Sequence, residues 1–338
     1  FNLFLPQISK LTNLEFALIS KMLGRSLSIA PEIFNTNAPD TGNMEILYKF
    51  ATEKQKEIYL KPLLEGKIRS CFSMTEKGIP SSDALNIQSK ILEYDKNNYI
   101  INGRKWWISG GGDPRCKFTI FLGVTPNKKL KKHQQHTMII IDLNSPGIII
   151  KRPMKVFGFS DFPHGHMDIE FNNVIVPKEN VILGEGRGFE IAQARLGPGR
   201  IHHCMRAIGT AERALENMLD RVSYKKTFGK VFYDNDVVLS KIAECKINLS
   251  EAELLVLYAA DRIDNSGARK SKDEIAMIKI SAINKCLKIV DETIQMFGGE
   301  GVSQDSFLSE AYGLLRTLRL ADGPDEVHFR AIGKSMVM

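Results

Sequence analysis

Apolar residues recur at three- and four-residue spacings in LTNLEFALISKMLGRSLSIA and in NMEILYKFATEKQKEIYLKPLLEG, which predicts helices over residues 1–67. Between them APEIFNTNAPDTGN, rich in Pro, Asn and Gly, predicts a loop. Residues 70–183 change period. Short β-type runs appear, among them NNYIING, CKFTIFLGV, HTMIIIDL, GIIIKRP and HMDIEFNNVIV, with turn clusters between them. Strands without intervening helices predict a compact antiparallel barrel or sandwich. From about residue 186 the helical period returns. Val238, Ile242, Cys245, Leu249, Ala252, Val256 and Ala259 step by 4, 3, 4, 3, 4, 3, and Ile280, Ile283, Leu287, Val290, Ile294 and Phe297 by 3, 4, 3, 4, 3. These are seams of long antiparallel helices in a bundle. Gly267, Gly298, Gly299 and Gly301 supply the breaks. The fold class expected is α+β, with domains at 1–68, 69–184 and 185–338.

Composition adds bounds. The 338 residues are 43% hydrophobic and 25% charged, ordinary globular values that exclude a disordered tail or a fibre. No apolar run approaches the 18 residues that a transmembrane helix needs. The net charge of +7 fits an anionic small ligand as well as it fits nucleic acid. No Arg/Lys stripe interleaved with aromatics supports nucleic-acid binding. The five cysteines stand far apart without a CxxC pair, as expected of reduced buried thiols. The chain opens on Phe1, which points to a fragment or a processed product. The basic patch Lys128–Lys132, with His133 and His136, is expected to be a solvated hairpin tip.

Candidate chemistry is sparse at first. Gly184-x-Gly186-x-Gly188 lacks the βαβ surroundings and spacing of a dinucleotide loop and reads as a connector. Gly110-Gly111-Gly112 reads as a flexible turn. His164-x-His166 and His202-His203 have no carboxylate or cysteine at metal-ligand spacing nearby. Ala321-Asp322-Gly323-Pro324-Asp325-Glu326-Val327-His328 falls at a break between two helices. There Asp322 or Asp325 caps the last helix, or Asp322 projects from the helix end toward a ligand.

Several ordered motifs resolve the ambiguity. Phe72-Ser73-Met74-Thr75-Glu76 followed by Ser81-Ser82-Asp83, and Tyr99 through Ser109 (YIINGRKWWIS), come first. Val174–Asn180 with Gly184–Phe189, then Thr227-Phe228-Gly229 and Gln295-Met296-Phe297-Gly298-Gly299, follow in order. Together they resemble the acyl-CoA dehydrogenase family over nearly the whole chain. Arg195-Leu-Gly-Pro-Gly-Arg200-Ile-His-His-Cys-Met-Arg206, Pro163–His166 and Ala321–His328 resemble its member 10/11 subgroup. In longer relatives of that type an aminoglycoside-phosphotransferase-like domain precedes this module, and the family's usual first helix is cut short here. The resemblance implies an N-terminal helical domain, a middle β-domain and a C-terminal four-helix bundle.

It also implies an activity. An α-proton leaves an acyl-CoA thioester while the β-hydride passes to flavin N5 of FAD, giving the trans-2-enoyl-CoA. The base position of the family, usually Glu, corresponds to Asp322, and its alternative base position to Gly199, which cannot serve. Asp is one methylene shorter than Glu, a change in reach of roughly 1 Å. Ser109 is expected near flavin N5 and Trp107 over a face of the ring. Phe72, Met74 and Thr75 line it. Lys225, where many members carry Arg, is expected at the diphosphate, and loses the bidentate fork. Phe228, Gln295, Gly298 and Gly299 are expected to reach the flavin of a neighbouring subunit. Pro324, Asp325 and Glu326 stand where other members carry different residues close to the cofactor. Ser82, expected at both cofactor and CoA, Arg200, facing the CoA phosphates, and Gly323, beside the substrate, complete the set. The partners implied are an acyl-CoA, long-chain or 4-hydroxylated, and electron-transfer flavoprotein. A homodimer or homotetramer in mitochondrion or peroxisome is expected. Rival readings on the same fold are an acyl-CoA oxidase, a nitroalkane-oxidase-like enzyme, which also uses an Asp base, and a catalytically silent acyl-CoA-binding homologue.

Overall fold

A computed structural model describes residues 11–36, 38–127 and 129–337, and of 193–198 the backbone alone. The expectations for residues 1–10 and for Lys128 lie outside the described residues. The chain forms two compact units, one over 35–196 and one joining 11–34 to 197–337. The residues expected as a single N-terminal helical segment are divided between them.

In the first unit, helix α1 (Asp40–Phe50) is followed by a continuous helical run of Glu53–Gln55, a π-type turn Lys56–Leu60 and Lys61–Leu64. Thr52 starts that run with a capping box: its hydroxyl accepts from Gln55 N, and the Gln55 side chain accepts from Thr52 N. The expected loop over 30–43 therefore ends sooner than its Pro and Asn content implies, because helix α1 already begins at Asp40.

Seven strands follow: β1 (Arg69–Ser73), β2 (Lys90–Glu93), β3 (Asn98–Ser109), β4 (Cys116–Val124), β5 (His136–Asp142), β6 (Ile148–Met154) and β7 (His166–Pro177). The sheet runs β1-β4-β2-β3-β7-β6, with β5 beside β4. Most pairs are antiparallel, but β1 lies parallel to β4. Strand β1, RSCFS, carries no alternating apolar pattern because polar side chains do its packing. The buried Asp40 carboxylate accepts from Ser70 N at 2.8 Å and pairs with Arg69 Nη1 at 3.4 Å. Long strands β3 and β7 pair from Asn98↔Pro177 to Ser109↔His166, with register shifts at 101/103 and 105/108. The wholly buried Lys105 crosses this core, its Nζ 2.7 Å from Glu76 Oε1 and donating to the carbonyls of Met74 and Leu122.

In the second unit, α2 (Asn13–Gly24) packs with α3 (Gly188–Tyr224, the part from 197 onward), α4 (Asp236–Ser266), α5 (Lys272–Phe297), α6 (Leu308–Leu318) and α7 (Asp325–Val337). A short helix, Ile29–Ile33, follows α2 inside the stretch expected as loop. Thr12 and Glu15 form the capping box of α2. Gly24 allows α2 to touch α3: a Cβ there would stand 2.2 Å from Arg206 O. Of the predicted seam, Val238, Cys245, Leu249, Ala252, Val256 and Ala259 are buried and Ile242 is half-buried. On α5 Ile283, Leu287 and Val290 of the predicted stripe are buried and Ile280, Ile294 and Phe297 half-buried, while Ile278, Ala282, Ile289 and Met296 are buried as well. That helix packs against α4 on one side and α6 and α7 on others, so a single seam underdescribes it. Among the described residues no helix is long and apolar enough to cross a membrane. All five cysteines are buried and unpaired in disulfides.

Candidate active site

The break between α6 and α7 carries an unusual backbone. Asp322 has φ +55° and is followed by Gly323 at φ +102°. Non-glycine residues rarely adopt that region, and where they do the surroundings hold them there. Two contacts from α3 do so. Arg200 donates from Nη2 at 3.0 Å and from Nε at 3.3 Å to the Asp322 carbonyl oxygen. His203 Nε2 lies 3.2 Å from Asp322 Oδ2. One turn on, Arg206 Nη2 lies 2.8 Å from His203 Nδ1. Residues 200, 203 and 206 share one face of α3, as a spacing of three requires.

The chemistry of this cluster follows from its burial. Burial pushes the His203 imidazole below its ordinary value, the Asp322 hydrogen bond opposing it. Burial also lowers the Arg206 guanidinium to about 10. His328, on α7, is pushed down to about 4 by burial, with Arg200 and Lys279 adding to it. A Cβ on Gly323 would approach His328 Nε2 to 3.0 Å, and its φ favours glycine independently. Asp325, expected near a cofactor, is buried: Arg319 Nε donates to its Oδ2 at 2.8 Å and Asn284 Nδ2 at 3.2 Å. Pro324 is half-buried and Glu326 exposed. The Pro324 carbonyl accepts from Val327 N at 3.0 Å, so Pro324 opens α7.

The same unit holds the residues expected at the other end of a cofactor. Lys225 Nζ donates to the Met296 carbonyl at 3.0 Å, at the C-terminal end of α5 where a cation is favoured. Gln295, Gly298 and Gly299 are exposed there. Phe228 is fully exposed at a hairpin tip with φ +51°.

In the first unit the structure brings Trp107 and Ser109 together with His166, a residue to which no motif gave a role. Ser109 Oγ lies 2.9 Å from His166 Nδ1, and His166 Nε2 lies 3.4 Å from Asp161 Oδ2. Burial lowers the His166 imidazole, opposed by the Asp161 charge. Trp107 sits at φ +55° inside the register shift of β3, and its ring centroid is 5.6 Å from that of His166. The irregularity re-aims the indole out of the strand's alternation. Phe72, Met74 and Thr75 are half-buried at the end of β1, where Thr75 O accepts from Trp106 N at 3.0 Å. Ser82 is exposed in the following loop.

His203, Arg206 and His166 were present in the quoted motifs without a role. The three-residue spacing of Arg200, His203 and Arg206 was the available signal for two of them. The pairing of Ser109 with His166 depends on strand register across more than fifty residues, which no local pattern encodes.

Comparison with known proteins agrees with this architecture. The acyl-CoA dehydrogenase middle-domain model matches residues 71–174 and the acyl-CoA dehydrogenase C-terminal-domain model residues 186–337. Acyl-CoA dehydrogenase family member 11 of Gallus gallus is 52% identical over 335 residues. That match covers 99% of this chain but 43% of the relative, so the chain spans about two fifths of the length of such relatives. Among solved structures, an acyl-CoA dehydrogenase homologue from Mycobacterium abscessus superposes with a TM-score of 0.96 at 43% identity, covering 100% of this chain and 83% of that one. Butyryl-CoA dehydrogenase from Megasphaera elsdenii superposes at 0.85 with 26% identity, covering 97% and 82%.

Proposed function

This chain belongs to the acyl-CoA dehydrogenase family, and on that premise we propose that it oxidises acyl-CoA thioesters to trans-2-enoyl-CoA with FAD as cofactor. The observation that carries the reading is Asp322, a partly accessible carboxylate fixed on a left-handed turn by Arg200 and His203. A base must be within reach of the proton it takes and held in position, and a locked turn provides that. Asp322 accepts the α-proton.

The residues present suit a flavin. Trp107 offers an aromatic plate, Ser109 and Thr75 hydroxyls, and Met74 a thioether, all half-buried rather than sealed in a core. Bound FAD supplies the hydride acceptor. The chain supplies orientation: the register shift in β3 sets Trp107, and the His166 contact sets the Ser109 hydroxyl. Lys225 is placed by its bond to Met296 O beside the exposed Gly298 and Gly299.

The finer parts of the reading rest on the subgroup resemblance. The substrate is a long-chain or 4-hydroxylated acyl-CoA, and the electrons pass to electron-transfer flavoprotein. The protein is a homodimer or homotetramer, in mitochondrion or peroxisome. Anaerobic titration of the FAD-loaded protein with a panel of acyl-CoAs, followed at the flavin band, tests this. Rapid bleaching with slow reoxidation by oxygen is expected. Asp322→Asn is expected to retain FAD and abolish bleaching. Fast oxygen turnover would make it an oxidase, reduction only by nitroalkanes a nitroalkane-oxidase-like enzyme, and no bleaching at all a silent homologue.

A further inference from the structure

The reading of Asp322 as base leaves unexplained why two half-buried basic groups are lined up behind it. We propose that Arg206 locks His203 in its neutral Nε2–H tautomer, so that Asp322 is met by a neutral hydrogen-bond donor and not by an imidazolium; the proposal rests on the reading of Asp322 as the base.

The geometry carries it. A guanidinium has five N–H donors and no acceptor. Arg206 Nη2 at 2.8 Å from His203 Nδ1 is therefore the donor, and Nδ1 is a bare acceptor. The ring's one proton is then on Nε2, which points at Asp322 Oδ2 at 3.2 Å. Protonating His203 would place a hydrogen on Nδ1 facing the guanidinium, where both groups are half-buried and both would carry positive charge. The downward shift of the His203 imidazole by burial agrees with this. The charged and titratable groups around His203 are Asp322 from the 319–324 turn, Arg206 on its own helix, and Lys279 from α5. His202 adjoins it on α3, and Arg200 and His328 face Asp322 itself. Every cation in that set opposes a second proton on the ring.

The consequence is chemical. A cation in contact with a carboxylate stabilises its ionised form and weakens it as a base. A neutral Nε2–H donor orients the carboxylate with a smaller loss, since it brings a hydrogen bond but no full charge. His203 and Arg206 are positioning residues: neither is assigned a proton from the substrate.

The test uses the full chain with FAD, labelled with 15N-histidine, with His203 assigned among the seven histidines by His203→Gln. In the unsubstituted protein, NMR is expected to show Nε2 protonated and Nδ1 bare from about pH 8 down to about pH 5.5, where a free histidine would have titrated. In Arg206→Met, Nδ1 is expected to take up a proton within that range. Anaerobic flavin reduction by that variant is then expected to fall about tenfold below wild type near pH 6 and to recover near pH 9, since one unit of proton affinity is a factor of ten. A wild-type His203 protonated on Nδ1, or an Arg206→Met protein whose Nδ1 stays bare throughout, would overturn the lock. The wild-type measurement needs no substitution at Arg206, so misfolding of the variant does not shelter the idea. Wild-type flavin reduction in Asp322→Asn would instead remove the base assignment while leaving the tautomer result standing, which separates the two failures.

Discussion

The Arg200 guanidinium is bound to the backbone of Asp322, through Nη2 at 3.0 Å and Nε at 3.3 Å to the carbonyl oxygen. The resemblance had assigned this arginine to the CoA phosphates, and the two roles make opposite predictions. A residue that holds the turn acts on every substrate. A residue that holds phosphate acts only when phosphate is present. Arg200→Ala is expected to slow flavin reduction by about 100-fold, the cost of misplacing a reacting group by about 1 Å. The deficit is expected to be equal with acyl-CoA and with the matching acyl-pantetheine, which lacks the nucleotide. A deficit confined to acyl-CoA would return Arg200 to the phosphates.

The buried pair Lys105 and Glu76 predicts an asymmetry in stability. Burial lowers the Lys105 ammonium to about 8, and Glu76 is its counter-charge. Glu76→Gln leaves an unpaired charge in the core and is expected to cost about 3–5 kcal/mol. Lys105→Met on top of it removes that charge, so the double variant is expected to be more stable than Glu76→Gln alone. Urea denaturation at neutral pH measures both. A double variant weaker than the single one would show that the lysine's bonds to Met74 O and Leu122 O outweigh its charge.

How far the sequence carried these assignments depended on the range of the interaction. The bundle seam through Val238 and Ala259 was legible because helical burial repeats every three to four residues. Strand β1 was not, since Arg69 and Ser70 are packed by a buried Asp40 almost thirty residues upstream. Asp322 stood out by its Gly-Pro neighbours, yet its left-handed backbone and its links to Arg200 and His203 are tertiary facts. Asp325 shows the converse. Its place in the motif pointed to a cofactor, whereas its carboxylate is held by Arg319 and Asn284.

Two buried histidines of the bundle predict acid sensitivity. Burial pushes His202 down to about 3 and His328 to about 4, from 6.5 when unfolded. Both are therefore neutral in the folded protein while the unfolded chain takes up protons below pH 6.5. Their contribution to stability is complete above that value and is lost as pH falls toward 4. The slope for each approaches about 1.4 kcal/mol per pH unit within the window. Melting temperature is expected to be flat above about pH 7 and to decline below about pH 6. His202, whose ring meets Phe16 edge-on at 4.3 Å, offers the check: His202→Gln is expected to be less stable at neutral pH with a shallower decline. A melting temperature unchanged down to about pH 5 would contradict the burial argument.

Phe228 predicts a role for a ring that this chain leaves in water. Lys226–Thr227 pairs with Lys230–Val231, so Phe228 and Gly229 form a two-residue turn at φ +51° and +81°. Positive φ at both positions is the signature of a type I′ turn, in which Asn-Gly is the favoured pair. A phenylalanine there gains nothing for the hairpin, pays backbone strain and stands fully exposed. The proposed contact to the flavin of a neighbouring copy gives the exposed ring a use, and it is open to test. Phe228→Asn separates turn from ring, because it preserves the hairpin and deletes only the aromatic surface. The variant is expected to melt at or above the wild-type temperature while losing FAD about tenfold more readily, the order of a lost aromatic contact. Release of flavin fluorescence on dilution, with light scattering to follow the oligomer, measures it. Equal retention of FAD and an unchanged oligomer would leave the exposed ring without the partner assigned to it.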